Sequence, residues 1–110
     1  MYEQGEILIV PFPFSDLSSV KRRPVLVLSK KLDNESLDDI ITCGITSNIT
    51  NSKYSVLIEN KNLEQGQIPK KSRIKVDKLF TLNKNIVEKT IAKIDKETFN
   101  KVKKEFFNLI

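Results

Sequence analysis

The sequence predicts a mainly β chain, a small antiparallel barrel or curled sheet with a C-terminal helix. Three observations carry this. Short apolar or alternating segments recur between positions 6 and 79, each bounded by turn-forming residues. A helical period appears only near the end, where Phe99, Val102, Phe106 and Leu109 fall on one face. The chain has 110 residues, enough for one core and too few for two, so a single domain over 1–110 is expected.

The elements follow in order. Glu6 to Val10 is apolar and β-branched, and reads as a strand ended by Pro11. Pro11-Phe12-Pro13-Phe14 lacks two ladder donors and reads as irregular, and Ser15 to Ser19 is rich in turn formers. A long loop over 11–22 is therefore expected, with Lys21-Arg22-Arg23 at its exit. Pro24 to Ser29 is an apolar strand without polar alternation, as expected of a strand buried on both faces. Lys30 to Asp38 is a polar connection with room for a short helical turn. Asp39 to Thr46 is a third strand, Ser47 to Ser52 a polar loop, Tyr54 to Ile58 a fourth strand, and Glu59 to Lys71 another loop. Ser72 to Leu79 alternates polar and apolar, a fifth strand with one wet face. Lys84 to Ala92 fits a short helix or a strand. Asp95 is the N-cap of the last helix, and Glu97 complements its dipole.

Missing residue types exclude whole classes of chemistry. The chain has no histidine, which removes Ser-His-Asp, Cys-His and paired-histidine catalysis. One cysteine, Cys43, cannot make a zinc site or an internal disulfide, and a reducing cytoplasm is expected. Three glycines form neither a P-loop nor a dinucleotide fingerprint. Met1-Tyr2-Glu3-Gln4 lacks the basic start and apolar stretch of a signal peptide, and no apolar run approaches the ~18 residues of a membrane span. Cofactors, metals and membranes are not expected. The net charge of +5 fits either a polyanionic partner or a lysine-rich solvated surface.

The candidate residues are few. Lys21, Arg22 and Arg23 form the densest positive cluster, and Pro24 restricts Arg23 to extended backbone. Guanidinium forks suit phosphate oxygens, although basic residues beside an apolar strand also serve as gatekeepers against aggregation. Thr46, Ser47 and Asn48 follow the third strand, where small polar side chains either donate to an anion or satisfy a turn. Phe12 and Phe14 either stack bases or pack the loop onto the sheet. Cys43, among apolar neighbours, reads as a small core hydrophobe. The tail Phe106-Phe107-Asn108-Leu109-Ile110 is more apolar than one helix face requires, which suits a dimer interface.

Gly5 to Val10 has the form Gly-x-Ile-x-x-Val. A polar loop follows, then Arg23-Pro24-Val25-Leu26-Val27-Leu28-Ser29, and further on Ile45-Thr46-Ser47. Together these motifs resemble the MazF/PemK family of toxin endoribonucleases of type II toxin–antitoxin systems, and Pro11 to Leu17 looks like a distinct branch of it. Ser72 to Leu82 and the Asn108-Leu109-Ile110 tail add to a resemblance that spans nearly the whole chain. It implies a homodimeric SH3-like barrel that cleaves single-stranded RNA without a metal, as an mRNA interferase. Arg23 and Thr46 match the catalytic arginine and threonine. It also implies an acidic, largely disordered antitoxin that occludes the basic loop. Two departures stand out. Leu17-Ser18-Ser19-Val20-Lys21 replaces a Gly-Ser-Glu-Gln-type loop, and Lys78 stands where a glutamine is frequent. Ser19 and Lys78 are carried over only as RNA contacts, beside Lys21, Arg22, Ser47 and Asn48. Two alternatives share the fold: a nucleic-acid-binding barrel that does not cut, and a topoisomerase-binding toxin of CcdB type. The tryptophan that the second uses is absent.

Overall fold

A computed structural model describes residues 2–13 and 20–110. The strands are β1 (Glu6–Pro13), β2 (Val20–Val27), β3 (Asp39–Thr46), β4 (Ser55–Ile58), β5 (Leu63–Gly66), β6 (Ser72–Asn83) and β7 (Lys89–Ile94). A short helix α1 (Lys31–Ser36) joins β2 to β3, and α2 (Lys96–Leu109) ends the chain. All strand pairs are antiparallel, in the order β4-β6-β3-β2-β1-β7-β5. The sheet curls into a half-barrel with α2 against it, the mainly β architecture that the sequence predicts.

Curling buries both faces of the central strands. Val25 and Val27 of β2 pack with Leu8, Val10, Ile40 and Leu82 on one side. Leu26, between them, joins Ile7, Cys43, Ile45, Ile58, Ile74, Ile94 and Val102 of α2 on the other. The lack of alternation in this strand has that cause. Each fully buried Ile, Leu or Val contributes roughly 1.5–3 kcal/mol. The stripe Phe99, Val102 and Phe106 faces this second core, as its spacing requires. Among the described residues, no helix is long and apolar enough to cross a membrane.

Three expectations need correction. Pro11 and Pro13 do not end the first strand: β1 runs through Pro13, and Pro11, Phe12 and Pro13 pair with Arg22, Lys21 and Val20. At both ends of the expected loop over 11–22, residues 11–13 and 20–22 are therefore paired strand, 14–19 lie outside the described residues, and β2 begins at Val20 rather than Pro24. The reason is parity. The Glu88 N–H donates to the Ile9 carbonyl at 2.9 Å, so Ile9 faces β7, and by alternation Pro11 and Pro13 face the same way. The β1–β7 register ends at Ile9–Lys89, so the absent proline donors fall on an open edge, where they cost no ladder bond.

The second correction concerns 59–71. It is not only a loop: a 3-10 turn at Asn60–Asn62 leads into β5, which pairs with β7. The approach of β5 to β7 requires Gly66, whose φ is +75° and where a Cβ would lie 2.1 Å from the Ile91 carbonyl oxygen. The third extends the fifth predicted strand, β6, to Asn83. The segment 84–92, which fitted a helix or a strand, divides between a 3-10 turn at Lys84–Ile86 and β7.

The N-cap of α2 is as predicted: the Asp95 carboxylate accepts the Thr98 N–H at 2.8 Å. Hydrogen bonds from Thr98, side chain and backbone, hold the Asp95 carboxyl below the usual aspartate value. A depressed native pKa means that the cap stabilises above the unfolded-state pKa and is lost as pH falls through the native one. Asp95→Ala should therefore cost about 1 kcal/mol near pH 7. The difference between variant and wild type in urea melts should shrink as pH falls through the native pKa, which lies below the usual aspartate value.

Candidate functional site

β2 and β3 pair at Val27–Thr42, Leu26–Cys43 and Val25–Gly44. Continued past its last pair, that register sets Arg23 opposite Thr46, on the face that Val25 and Gly44 share. A cleft of about 510 Å³ opens there. Its lining is of three kinds: the cations Arg23, Lys75 and Lys78; the hydroxyls and amides of Thr46, Asn48, Thr50, Asn51 and Ser52; and an apolar part from Pro24, Val25, Gly44, Ile45 and Phe80. No carboxylate is among these described lining residues, so the cleft is suited to an anion.

The loop after β3 is fixed by its own side chains. The Thr46 hydroxyl oxygen accepts the Asn48 N–H at 3.1 Å, and the Asn48 Oδ1 accepts the Thr50 N–H at 3.1 Å. Arg73 braces the loop from β6: its Nε donates to the Ile49 carbonyl at 3.1 Å and its Nη1 to the Ser55 hydroxyl at 2.9 Å. Lys75 Nζ donates to the Ser52 hydroxyl at 2.9 Å and lies 4.0 Å from Asp77. A hydroxyl that accepts one bond still carries its own proton. Thr46 is thus anchored through its oxygen and can donate into the cleft. The turn and anion readings of Thr46-Ser47-Asn48 are compatible, because the turn uses acceptors and the cleft needs donors.

A family model for PemK-like, MazF-like toxins of type II toxin–antitoxin systems matches residues 3–109. The chain belongs to that family. Solved structures agree in fold. An endoribonuclease in complex with its cognate antitoxin, from mycobacterial species, superposes with a TM-score of 0.79 at 17% identity, covering 98% of this chain and 93% of that one. A MazE–MazF structure from Deinococcus radiodurans gives 0.77 at 18%, covering 98% and 94%. The Mycobacterium tuberculosis toxin MazF-mt6 gives 0.75 at 17%, covering 94% and 93%. No curated protein matches the chain closely enough to count as a relative.

In this toxin the cleft gathers four of the sequence-predicted residues: Arg23, Thr46, Asn48 and Lys78. The others stand apart. Ser47 is exposed beside the cleft but does not line it. Lys21 shares the face of Arg23 on β2 and lies beyond the lining. Arg22 takes the opposite face by alternation, and its Nε donates to Glu88 at 2.7 Å, so the basic cluster divides between two roles. Ser19, Phe14 and the side chain of Phe12 lie outside the described residues. Cys43 is buried, and desolvation, then the Asp77 charge, pushes its thiol up to about 12. It is a core hydrophobe, as expected.

Lys75 and Phe80 of β6 are the functional candidates that sequence reasoning passed over. Alternation placed Lys75 on a wet face and said nothing of a shared cleft with Lys78, three positions on and of opposite parity. The register explains it: Gly44 pairs with Lys75 but Cys43 with Leu79, so Val76, Asp77 and Lys78 have no partner on β3. This wide bulge turns Lys78 back toward Lys75.

Because Arg73 alone ties β6 to the Ile49 carbonyl, Arg73→Met should loosen the cleft loop. A stability loss of about 1–3 kcal/mol is expected in urea melts. Hydrogen exchange at the Asn48 and Thr50 amides should quicken more than exchange in β1 or β7.

Proposed function

We propose that this toxin, acting as one domain, is a sequence-selective endoribonuclease that cuts single-stranded RNA without a metal ion. The observation that carries the proposal is the cleft in which Arg23, Lys75, Lys78 and the Thr46 hydroxyl converge, with no carboxylate among its described lining residues. Its chemistry needs only what these residues supply. The RNA 2′-oxygen attacks the adjacent phosphorus, and the bond from phosphorus to the 5′-oxygen breaks. The products are a 2′,3′-cyclic phosphate and a 5′-hydroxyl, and the proton lost at the 2′-oxygen is balanced by one gained at the 5′-oxygen. No water is consumed. The protein aligns the two oxygens and stabilises the charge that builds on the phosphorane. Arg23 provides a planar pair of donors to a non-bridging oxygen, and Thr46 a neutral donor held in place by Asn48. Lys75, half-withdrawn against Ser52, and Lys78 hold the flanking phosphates.

The reading extends to partners. The antitoxin is an acidic segment that folds on binding and lays carboxylates where RNA phosphates would lie, and the toxin works in the cytoplasm. It acts as a two-fold dimer. Ile41 and Leu79 are nearly half exposed beside an apolar groove that Phe99, Val102 and Phe106 of α2 also line, and Phe107 and Ile110 stand 65% and 80% exposed at the helix end. An apolar groove beside exposed apolar side chains suits the contact of one subunit with another. Light scattering at micromolar protein should give twice the mass of 12.6 kDa. A lone monomer there would remove the dimer.

The test of cleavage is incubation with a long mixed RNA in EDTA, followed by mapping of the cut ends. Cyclic-phosphate ends should appear. Arg23→Ala should lose at least about 3 kcal/mol of transition-state stabilisation. Thr46→Ala should lose about 1–2 kcal/mol, because a neutral donor is removed. Full activity in folded Arg23→Ala, or none in EDTA, would end this mechanism, and binding without cleavage by the wild type would favour the silent barrel.

A further inference from the structure

Asn48 has one kind of hydrogen bond left to offer. Its backbone N–H is engaged by the Thr46 hydroxyl oxygen, and its Oδ1 by the Thr50 N–H. Only an oxygen can accept from that N–H, so the orientation of the amide is fixed by its partner. The Nδ2 makes no hydrogen bond among the described residues, and the side chain is exposed where it lines the cleft. Asn48 therefore presents N–H donors to the cleft while its oxygen is turned to the loop. It does so two residues from Thr46, beside the proposed phosphate site. The charged part of the lining has the same bias. Arg23, Lys75 and Lys78 are donors only, no carboxylate is among the described lining residues, and the Ser52 hydroxyl is engaged by Lys75 and Ser55. Asn51 has no fixed amide and can turn either way.

Bases differ in sign along their Watson–Crick edge. Uracil and guanine carry a carbonyl at the pyrimidine 4 or purine 6 position, where cytosine and adenine carry an amino group. A fixed donor aimed at that position pairs with the carbonyl, whereas an amino group there offers it no acceptor. We propose that Asn48 is a specificity-determining residue that selects a keto base, uracil or guanine, at one position beside the scissile phosphate. The proposal rests on the RNA-cleaving reading for its substrate, and its test does not require cleavage.

The experiment measures binding of the full-length toxin to short single-stranded 2′-O-methyl RNAs, which lack the attacking hydroxyl. The central positions are varied one at a time through the four bases. Wild type should bind uracil or guanine about tenfold more tightly than cytosine or adenine at one position. In Asn48→Asp the side chain keeps an oxygen for the Thr50 N–H and replaces the donor with an acceptor. The preference at that position should reverse toward cytosine and adenine, even as overall affinity falls from the added negative charge. Asn48→Ser, which also retains a turn-forming oxygen but both donates and accepts, should flatten the preference to within about twofold. Thermal melts establish that each variant is folded. Equal wild-type affinity for all four bases, or an unchanged preference in folded Asn48→Asp or Asn48→Ser, overturns the proposal. If base preference behaves as expected yet unmodified RNA is not cut, the nuclease reading fails and the role of Asn48 stands. Failure to bind any RNA removes both.

Discussion

The break in register between β3 and β6 is the constraint on which the cleft depends. A regular ladder would send Lys75 and Lys78 to opposite faces. Instead β6 carries Val76, Asp77 and Lys78 without a partner on β3, and pairing resumes at Cys43–Leu79. The excursion is not loose. Val76 is fully buried, and its N–H donates to the Tyr54 carbonyl at 2.9 Å, so the bulge is anchored by a core side chain and by the chain leading into β4. Gly44 lies at the break, and a Cβ there would lie 3.5 Å from both Lys78 Cβ and the Phe80 ring. Such contact is tolerable, but a methyl would narrow the floor between the two lysines and Arg23. The same short stretch of backbone thus sets the cations and the depth of the site.

Gathering cations carries an electrostatic cost. Arg23, Lys75 and Lys78 all line the cleft, and like charges brought together repel. Lys75 relieves part of this through Ser52 and the more distant Asp77. Outside the cleft, Lys93 meets Glu3 at 2.7 Å and Glu64 at 3.7 Å, tying the N-terminal segment to β7 and β5.

Most of the fold was legible in the sequence, and the misses share a cause. The third strand, Asp39 to Thr46, and the Asp95 cap are local statements, settled by pattern and by one side chain. Pro11 and Pro13 misled because proline's cost depends on which neighbour its nitrogen faces, and that is fixed by β7, far along the chain. β5 has no apolar alternation at all; it is a strand because β7 offers an edge and Gly66 permits the approach. In the site, Arg23 and Thr46 were readable as strand-end residues, and the β2–β3 register then brings them together. That Arg22 turns to Glu88 follows from alternation once β2 is known to begin before it. Lys75 was not readable, since no local pattern reveals a bulge on a neighbouring strand.

On the proposed function, a cleft that binds through cationic donors does not by itself tell a phosphate from a carboxylate. Arg23, Lys75 and Lys78 attract RNA and an acidic inhibitor alike, and salt screens both attractions. Competition between substrate and antitoxin is then a consequence of the site's composition and needs no second binding surface. What separates the two ligands is carried by the neutral groups. Thr46 donates where charge develops on phosphorus, which a carboxylate never presents in that geometry. The proposed partner of Asn48 is a base edge, which a peptide lacks. The loop that holds both is braced by Arg73, a cation whose donors are turned to the Ile49 carbonyl and the Ser55 hydroxyl. Affinity and selectivity therefore reside on different elements, the cations on β2 and β6 and the neutral donors on the loop after β3. A change in the loop can alter what is cut while leaving the electrostatic attraction for the inhibitor in place.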